Sequence, residues 1–512
     1  MDRRVAQGRS QLPSADPQPP SPFVAIAVGL GLVAIALVVY TLSHPYRFYD
    51  HFEWQAMAFL EGHAAIRFPV EGTDGSPGNA FFQDVLPVPT TDGVPRGLIP
   101  FPPLPAVLLV PFVALWGHAT DGQLIFAILG ALDVGLAWWV LGRLPVRTWV
   151  RVAATIFFAF GTVFWYAAQI GTTWYQAHVL AVGLALGAIG VAIGHDRGAA
   201  RDEDEDEPED AADGAVAWPG EGESVGAEPV RRAARRFDPR SLVPDRRQVL
   251  AGFLFGLACT SRLTVVFAAP FFVLVGSGGT WQRRGFSAAL GAGIPIGLLA
   301  VYNLVTTGHL LHPGYDYLYH LEAGFYTPLH YNLAWAIEDP RYLPQNFAIM
   351  FLNTPVLDPT VVPSALGTGG PLCTSPDAVR GLFNPDCPLI LPRDTGMSVL
   401  LTSPGYLLML PAVRWGYGHS RLVTGAALAV VIVAVVNLMH FSQGWVQFGY
   451  RFSNDFVPWA VLLVAIGLER LARPGVLPRP LWRAWTIPAV VLIVASVAIN
   501  LWGVAWADAL GW

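Results

Sequence analysis

Residues 23–42 read FVAIAVGLGLVAIALVVYTL. This run has 20 residues and no charged side chain, which is the length at which a helix crosses ~30 Å of lipid hydrocarbon. Similar runs recur along the chain, and only 13% of its 512 residues are charged, against roughly 25% in soluble domains. The sequence therefore predicts an all-α polytopic membrane protein with about 11 transmembrane helices, plus or minus about two.

The first apolar run is interpreted as a membrane span and not as a cleaved signal. The segment before it, Gln11–Ser21, is rich in proline, and the run ends at His44-Pro45 without the small residues of a cleavage site. The formal charge of −6 arises largely from one acidic tract. It indicates no nucleic-acid partner.

The positions of arginines predict the orientation of the spans, because short cytoplasmic loops carry an excess of basic residues. The basic tail 1–22 is placed inside, so the first outer loop, 43–121, faces outward within an N-terminal transmembrane part, 23–194. The proline-rich run 98–116 is predicted to be an outer juxtamembrane helix that does not cross. With that choice the next basic loop falls inside, with Arg143, Arg147 and Arg151.

The second half of the chain divides by the same rule. Residues 195–248 contain an acidic run, Asp202–Asp213, and then several arginines, a composition that predicts a disordered cytoplasmic loop. Residues 249–305 are predicted to form transmembrane helices, and 399–512 the C-terminal transmembrane helices, with spans near 399–413, 422–441, 455–470 and 485–506. The long polar outer loop between them, 306–398, is predicted to fold as an extracytoplasmic lobe.

The apolar segment 249–275 is interrupted in its middle by Thr260-Ser261-Arg262. Two readings compete, a single crossing with a buried Arg262, or two short helices that rise and return with Arg262 near the outer surface. Arg246 and Arg247 precede the segment, and Arg283 and Arg284 follow it. These basic flanks favour the second reading, because they place both ends inside.

Two carboxylates open the first outer loop, Asp50 and Glu53. At helical spacing they share one face, directly after the first span, and are candidates for acid–base catalysis. The same pattern is also that of an N-cap with its capping-box partner. The two roles are compatible, since a capping carboxylate at a membrane boundary can still face a cleft.

Three arginines are predicted to lie at outer membrane boundaries, Arg96, Arg262 and Arg451. The planar guanidinium pairs two phosphate oxygens at once, which makes these residues candidates for binding a phosphate. The alternative for each is a contact with lipid headgroups.

Other polar side chains occupy the same predicted outer regions. His51, His178, Tyr315 and Tyr450 are candidates for lining a substrate cavity. The histidine spacings match no zinc pattern, so no metal is predicted. Cys373 and Cys387 lie in one outer loop, where a disulfide is predicted. The sequence has no Walker loop, nucleophile elbow or dinucleotide fingerprint, and no cofactor is predicted.

Short motifs along most of the chain resemble the polyprenol-phosphate-dependent membrane glycosyltransferases of the GT-C class, in the family 39-like group related to protein mannosyltransferases and to the aminoarabinose transferase of lipid A. The resemblance rests on Asp50 after the first span, Arg96…Phe101-Pro102-Pro103-Leu104-Pro105, Gly161-Thr162…Trp165-Tyr166, Gly256-Leu257-Ala258…Arg262, Tyr302-Asn303…Gly308…Gly314-Tyr315 and Gly449-Tyr450-Arg451-Phe452…Pro458.

The resemblance implies an outer-facing cavity in which a carboxylate of the first outer loop activates the acceptor and basic residues hold the donor's phosphate without a metal. Asp50 would fill the first role, and Arg96 and Arg451 the second. Many members carry an acidic pair where this chain has Asp50 followed by His51, so the second carboxylate is either Glu53 or absent. The implied partners are a polyprenyl-phosphate-linked sugar donor, a glycan, lipid or protein acceptor, and the bilayer.

Two other functions fit a chain of this kind. A transporter or flippase of a lipid-linked saccharide would also need many spans and intramembrane arginines, but such proteins often contain paired broken helices, and the sequence indicates only one broken segment, 249–275. A non-catalytic scaffold would use the 306–398 lobe to bind a partner.

Overall fold

The computed structural model describes residues 21–42, 44, 49–67, 84–91, 93–194, 243–322, 332–364, 367–444, 446–472 and 479–512. The predicted tail 1–22, apart from its last two residues, and most of the predicted disordered loop 195–248 lie outside these described residues. The described chain is mainly helical, as the composition predicts.

The first half of the chain contains seven α-helices and three short strands among its described residues. In chain order they are α1 (Pro22–Leu42), α2 (His51–Leu60), β1 (Ile66–Arg67), β2 (Leu86–Val88), β3 (Arg96–Leu98), α3 (Leu104–Trp116), α4 (Gly122–Leu141), α5 (Thr148–Phe160), α6 (Phe164–Ile170) and α7 (Thr173–Ile193).

The second half continues with shorter elements and four long helices. They are α8 (Arg246–Cys259), α9 (Pro270–Leu274), α10 (Trp281–Thr307), α11 (Gly314–Glu322), α12 (Leu343–Phe347), β4 (Val356–Leu357), β5 (Val361–Ser364), β6 (Gly367–Pro371), β7 (Ile390–Leu391), α13 (Val399–Thr402), α14 (Met409–Gly416), α15 (Arg421–Met439), α16 (Val457–Ala472) and α17 (Arg479–Ala509).

The described part of the structure has fewer helices that are long enough to cross a membrane than the predicted number of about 11. Among the described residues, six helices are long and apolar enough to cross a membrane, in α1, α4, α7, α10, α15 and α17. The number rises to seven if α5 and α6, which meet at a bend of 52°, form one broken span.

The difference arises where an apolar run is divided into short helices. The predicted span 399–413 is broken at Ser403-Pro404 and continues as a 3₁₀ turn, Pro404–Leu408, before α14. Proline at this point removes a backbone donor and ends the preceding helix. The predicted span 455–470 corresponds to α16, which has 16 residues and would rise by only about 24 Å.

The broken segment 249–275 forms a hairpin, with the rise and return of the second of the two readings; the outer position of Arg262 stays a prediction. Gln248, at the start of α8, donates from Nε2 to the carbonyl oxygens of Phe272 (2.7 Å) and Val275 (3.2 Å). Both of these residues lie at the end of the hairpin. The two ends therefore lie side by side. Arg262 stands at the turn, between α8 and a 3₁₀ helix, Leu263–Ala268.

The proline-rich helix α3 has 13 residues and spans about 20 Å, well short of the hydrocarbon thickness. It packs against α2. This length agrees with the prediction that the run 98–116 does not cross.

The core of the bundle is formed around α16, in which almost every residue is buried. Its C-terminal end is held by an ion pair in which Glu469 accepts from the backbone N (2.9 Å) and Nε (3.1 Å) of Arg147. Arg247 similarly donates from Nε to the Val191 carbonyl (2.7 Å). These contacts bring together chain segments that the arginine pattern predicts to lie on the same, cytoplasmic side of the membrane.

The all-α prediction omits three small antiparallel sheets within the described residues, ordered β1-β3-β2, β4-β7 and β5-β6. The last two lie in the loop 306–398, which is predicted to be an outer lobe. In the same loop Cys373 and Cys387, the predicted pair, are joined by a disulfide. The loop packs on the end of α17, where Trp506 Nε1 donates to the Leu382 carbonyl (3.0 Å).

The orientation of the bundle can be tested by cysteine labelling. In a Cys259→Ala background, we expect a cysteine at Thr148 to resist a membrane-impermeant maleimide in intact cells, because the loop before α5 is predicted to be cytoplasmic. A cysteine at Glu61, which is exposed after α2, should react. Labelling at Thr148 and protection at Glu61 would reverse the orientation.

Candidate active site

Asp50 occupies the N-cap position of α2, but its side chain makes no capping hydrogen bond. The capping-box interpretation therefore does not describe this carboxylate. It accepts a hydrogen bond from the side chain of Trp54 instead and interacts electrostatically with His118. The His118 ring in turn packs on Trp54, with 4.6 Å between the ring centroids.

Burial raises the pKa of the Asp50 carboxyl to about 6, against the opposing effect of its hydrogen bonds and of His118. At neutral pH the group is mostly ionised. It is then a stronger base than an ordinary aspartate, as a group that accepts a proton during catalysis should be.

Glu53 is buried one helical turn further on, at 7% exposure. Its Oε1 accepts from Gln176 Nε2 of α7 (3.2 Å) and lies against Gly122 of α4, where a Cβ would collide with the carboxyl group. Burial, and next the charge of Asp50, raise the pKa of Glu53 to about 8. At neutral pH Glu53 is therefore largely protonated, and the two carboxyl groups of α2 differ in charge.

His51 links α2 to α7 through hydrogen bonds to the hydroxyl group of Thr173. Thr173 Oγ1 donates to the Tyr49 carbonyl (2.9 Å) and accepts from the backbone N (3.1 Å) and Nδ1 (3.0 Å) of His51. Burial lowers the pKa of His51 to about 4, so the imidazole is neutral. The structure gives this residue a positioning role beside Asp50.

Asp84 is a further carboxylate that the sequence analysis did not single out. It is 7% exposed and accepts from Trp174 Nε1 of α7 at 2.6 Å. Burial raises its pKa, and the charge of Arg451 opposes that shift. Trp174 also packs against Tyr49 (4.8 Å between ring centroids) and His51 (6.0 Å). No local spacing marks Asp84 in the sequence, because its partners are distant along the chain.

Two of the three predicted arginines converge on one aromatic ring. The guanidinium carbons of Arg262 and Arg451 lie 5.2 and 5.4 Å from the centroid of Phe452. Arg451 also lies 5.9 Å from the Tyr175 ring. Among the described residues no carboxylate lies within ion-pair distance of Arg451, whose charge acts on Asp84 and whose side chain is hydrogen-bonded to Tyr175.

Arg262 pairs with a protein carboxylate. Its Nε and Nη2 donate to the two oxygens of Asp455, at 3.0 and 2.9 Å. Thr264 Oγ1 (2.7 Å) and Asn437 Nδ2 (3.2 Å) donate to Asp455 as well, and His178 Nδ1 lies 3.0 Å from it. The candidates Arg262 and His178 thus belong to a buried polar cluster next to Phe452.

The remaining candidates are more scattered. Tyr450 is fully buried and donates to Gln443 Oε1 at 2.6 Å. Tyr315 of α11 meets Phe101 edge to face at 6.2 Å, and it interacts electrostatically with Arg262 and Asp84. Arg96 lies in β3, opposite Arg67 of β1. Within the described part of the chain, no group of three acidic, histidine or cysteine side chains could hold a metal ion.

An apolar groove of about 570 Å³ lies at the C-terminal end of α2. Its walls come from the end of α2, the start of α3, the tip of the hairpin and α10, and include Phe59, Val107, Leu257, Thr260, Leu298 and Tyr302. Gln55 Nε2 on α2 donates to the Tyr302 hydroxyl (3.3 Å). Leu298 is 66% exposed on α10, one of the helices long and apolar enough to cross a membrane, so the groove adjoins an exposed apolar helix surface.

No protein-family model matches the chain, and no curated protein sequence matches it. Among solved structures, the chain is similar to the crystal structure of the Archaeoglobus fulgidus oligosaccharyltransferase in the apo form, with a TM-score of 0.42 and 12% sequence identity. The similarity covers 95% of this chain and 56% of that enzyme, so the chain spans little more than half of its length. A likeness this distant does not assign a function.

The raised pKa of Glu53 predicts a pH-dependent stability. Between pH 4.5 and about 8, the unfolded chain releases the Glu53 proton while the folded chain retains it, so stability falls as pH rises. We expect Glu53→Gln to show a smaller drop in apparent melting temperature from pH 5 to about pH 8 than the wild type.

The matched control is Glu61→Gln, because Glu61 is exposed and pairs with Arg67 at the surface. Its melting temperature should follow that of the wild type across the pH range. Equal pH dependence in Glu53→Gln and the wild type would mean that Glu53 is already ionised in the folded protein.

Proposed function

We propose that this chain is a membrane glycosyltransferase of the GT-C type that transfers a sugar from a polyprenyl-phosphate donor to an acceptor at the extracytoplasmic face. The observation that carries the proposal is the connection between Asp50 and Arg451. A basic carboxylate, Asp50, and a cation, Arg451, that forms no ion pair within the described part of the chain are connected through His51, Trp174 and Asp84. A sugar phosphodiester needs both groups, a base for the acceptor and a positive charge for the leaving phosphate.

The reaction follows from these two charges. The acceptor hydroxyl oxygen attacks the anomeric carbon as Asp50 takes the hydroxyl proton. The bond between the anomeric carbon and the phosphate oxygen breaks, and polyprenyl phosphate leaves with the bonding electrons. Arg451 stabilises the negative charge of the departing phosphate, with Arg96 as the second proposed phosphate contact. The charge of Arg262, the third arginine predicted from the sequence, is instead neutralised by its ion pair with Asp455.

The donor's lipid would occupy the groove between α2, α3 and α10. The groove is apolar, adjoins an exposed apolar helix surface and passes Thr260, two residues before Arg262. Binding of the isoprene chain in this groove is favourable because it keeps the apolar surface of the chain out of water. The phosphate would then approach the arginines while the chain remains in the membrane.

A transporter or flippase of a lipid-linked saccharide is the second candidate. It is favoured by the bend of 52° between α5 and α6, which adds a second broken helix to the 249–275 hairpin, as transporters often have. Two preparations of the purified protein separate the two functions: protein in detergent, given polyprenyl-phosphate sugars and a membrane extract as acceptor, reports transfer, and protein reconstituted into liposomes reports transport of the same sugars. Release of polyprenyl phosphate without a gradient supports the transferase, whereas transport activity without this release supports the flippase.

Asn at position 50 is the discriminating substitution for the base. Asn has nearly the same shape as Asp, and the side chain of Asp50 makes no capping hydrogen bond that would be lost, so Asp50→Asn should express and bind donor normally. We expect its turnover to fall on the order of 100-fold or more, because a general base contributes ~10²–10⁴-fold. The measurement is the rate of sugar transfer at saturating donor.

Two controls accompany this variant. Glu61→Gln changes an exposed carboxyl group at the end of the same helix and should leave turnover unchanged. Glu53→Gln should show a smaller defect than Asp50→Asn, because Glu53 is already largely neutral. Transfer at the wild-type rate by Asp50→Asn would remove Asp50 from the catalytic role.

Arg451 is expected to determine donor affinity. Arg451→Ala should raise the KM for donor on the order of 10- to 100-fold through the loss of charged hydrogen bonds. Arg451→Lys should be intermediate, because it keeps the charge but loses the planar fork. Arg67→Ala, at a surface ion pair with Glu61, is the control. Unchanged kinetics in both Arg451 variants would assign Arg451 to headgroup contact.

A further inference from the structure

The carboxylate of Asp84 has interactions that lead to both charged parts of the candidate site. It interacts electrostatically with Arg451 and with Tyr315. On its other side, Trp174 donates to Asp84 Oδ2 at 2.6 Å and contacts His51, the neighbour of Asp50. Asp84 therefore stands on the path from the phosphate-binding arginine to the acceptor-activating carboxylate.

The order of groups in the donor matches this path. The phosphate of a polyprenyl-phosphate sugar is bonded to the anomeric carbon, and the sugar ring continues from that carbon. If the phosphate contacts Arg451 and the anomeric carbon faces Asp50, the ring has to lie beside the residues between them. Those residues include Asp84, Trp174 and Tyr315.

The chemistry of these side chains suits a sugar ring. The oxygens of a carboxyl group accept hydrogen bonds from hydroxyl groups, and Asp84 uses only Oδ2 for Trp174. Half-buried aromatic side chains present apolar faces that fit the C–H groups of a pyranose or furanose. Trp174 also fixes the direction of the carboxylate, because its indole is held between Tyr49 and His51.

We propose that Asp84 and Trp174 form the subsite that binds the donor's sugar ring, with Asp84 accepting a hydrogen bond from one ring hydroxyl group and thereby selecting the sugar. This inference rests on the proposed function, because it assumes that the phosphate binds at Arg451. It adds Asp84 as a specificity-determining residue, distinct from the carboxylates of α2 and from the candidate phosphate-binding arginines. Selection through a hydroxyl group is strong, since a donor that lacks it leaves the buried carboxylate unpaired.

The test uses a set of polyprenyl-phosphate sugars and the monodeoxy analogues of whichever sugar the wild type transfers. In the wild type, one deoxy position should reduce kcat/KM on the order of 10- to 100-fold. In Asp84→Ala, removal of the same hydroxyl group should reduce kcat/KM only slightly, because the carboxylate that accepts its hydrogen bond is absent. The penalties at the other positions should be unchanged, which separates a lost contact from a general loss of folding.

Two more variants keep the result decisive if Asp84→Ala is unstable. Trp174→Phe retains the carboxylate but removes its indole donor, and it should weaken the same deoxy discrimination. Asp316→Asn changes an exposed carboxylate on α11 and should leave every penalty as in the wild type. Binding of polyprenyl phosphate, which lacks the sugar, should be equal in all of these variants.

The outcomes distinguish this inference from the proposed function. A wild type that transfers no sugar from any polyprenyl-phosphate donor contradicts the proposed function itself. A wild type that transfers sugar, together with Asp84→Ala and Trp174→Phe variants that retain every deoxy penalty, contradicts only the subsite. Loss of polyprenyl phosphate binding in Asp84→Ala would also overturn the subsite, because Asp84 would then act through Arg451.

Discussion

The carboxylate of Asp455 joins four separate parts of the helical bundle in one buried cluster. It pairs with Arg262 at the tip of the hairpin and lies against His178 of α7 and Asn437 of α15, while its own 3₁₀ turn leads into α16. A buried charge without partners is strongly destabilising, so the four parts are constrained to meet at this point. The cluster also fixes Phe452 and Arg451, which belong to the same turn.

The position of the candidate site depends on that constraint. α7 supplies His178 to the cluster from its second turn and Trp174, Thr173 and Gln176 to the site from its first turn. Because a helix is rigid over so short a distance, anchoring one turn positions the other. The hydroxyl group of Thr173 then fixes the start of α2, and with it Asp50. The ion pair thus determines the site although it does not line the path between Asp50 and Arg451.

The two carboxyl groups of α2 differ because their surroundings differ. Asp50 is partly accessible and receives a hydrogen bond and a nearby imidazole, whereas Glu53 is enclosed by Gly122 and Gln176 and faces the charge of Asp50. Like charges so close to each other do not both ionise readily in a poorly solvated region. One carboxyl group is left as a base and its neighbour as a neutral acid, a separation that suits proton transfer near neutral pH.

The sequence by itself determined the features that depend on neighbouring residues. The long apolar runs, the break at Thr260-Ser261-Arg262, the short proline-rich helix and the cysteine pair are all encoded within a few dozen residues. Composition and proline positions also predicted most of the long helices, although the effect of Ser403-Pro404 on the predicted span 399–413 was missed. Tertiary structure decided the partners. Arg262 and Asp455 are 193 residues apart, and Trp174 and Asp84 are 90 apart. A charge is assigned its role by the groups that surround it after folding, and those groups come from distant parts of the chain, so no local pattern could identify Asp84 or pair Arg262.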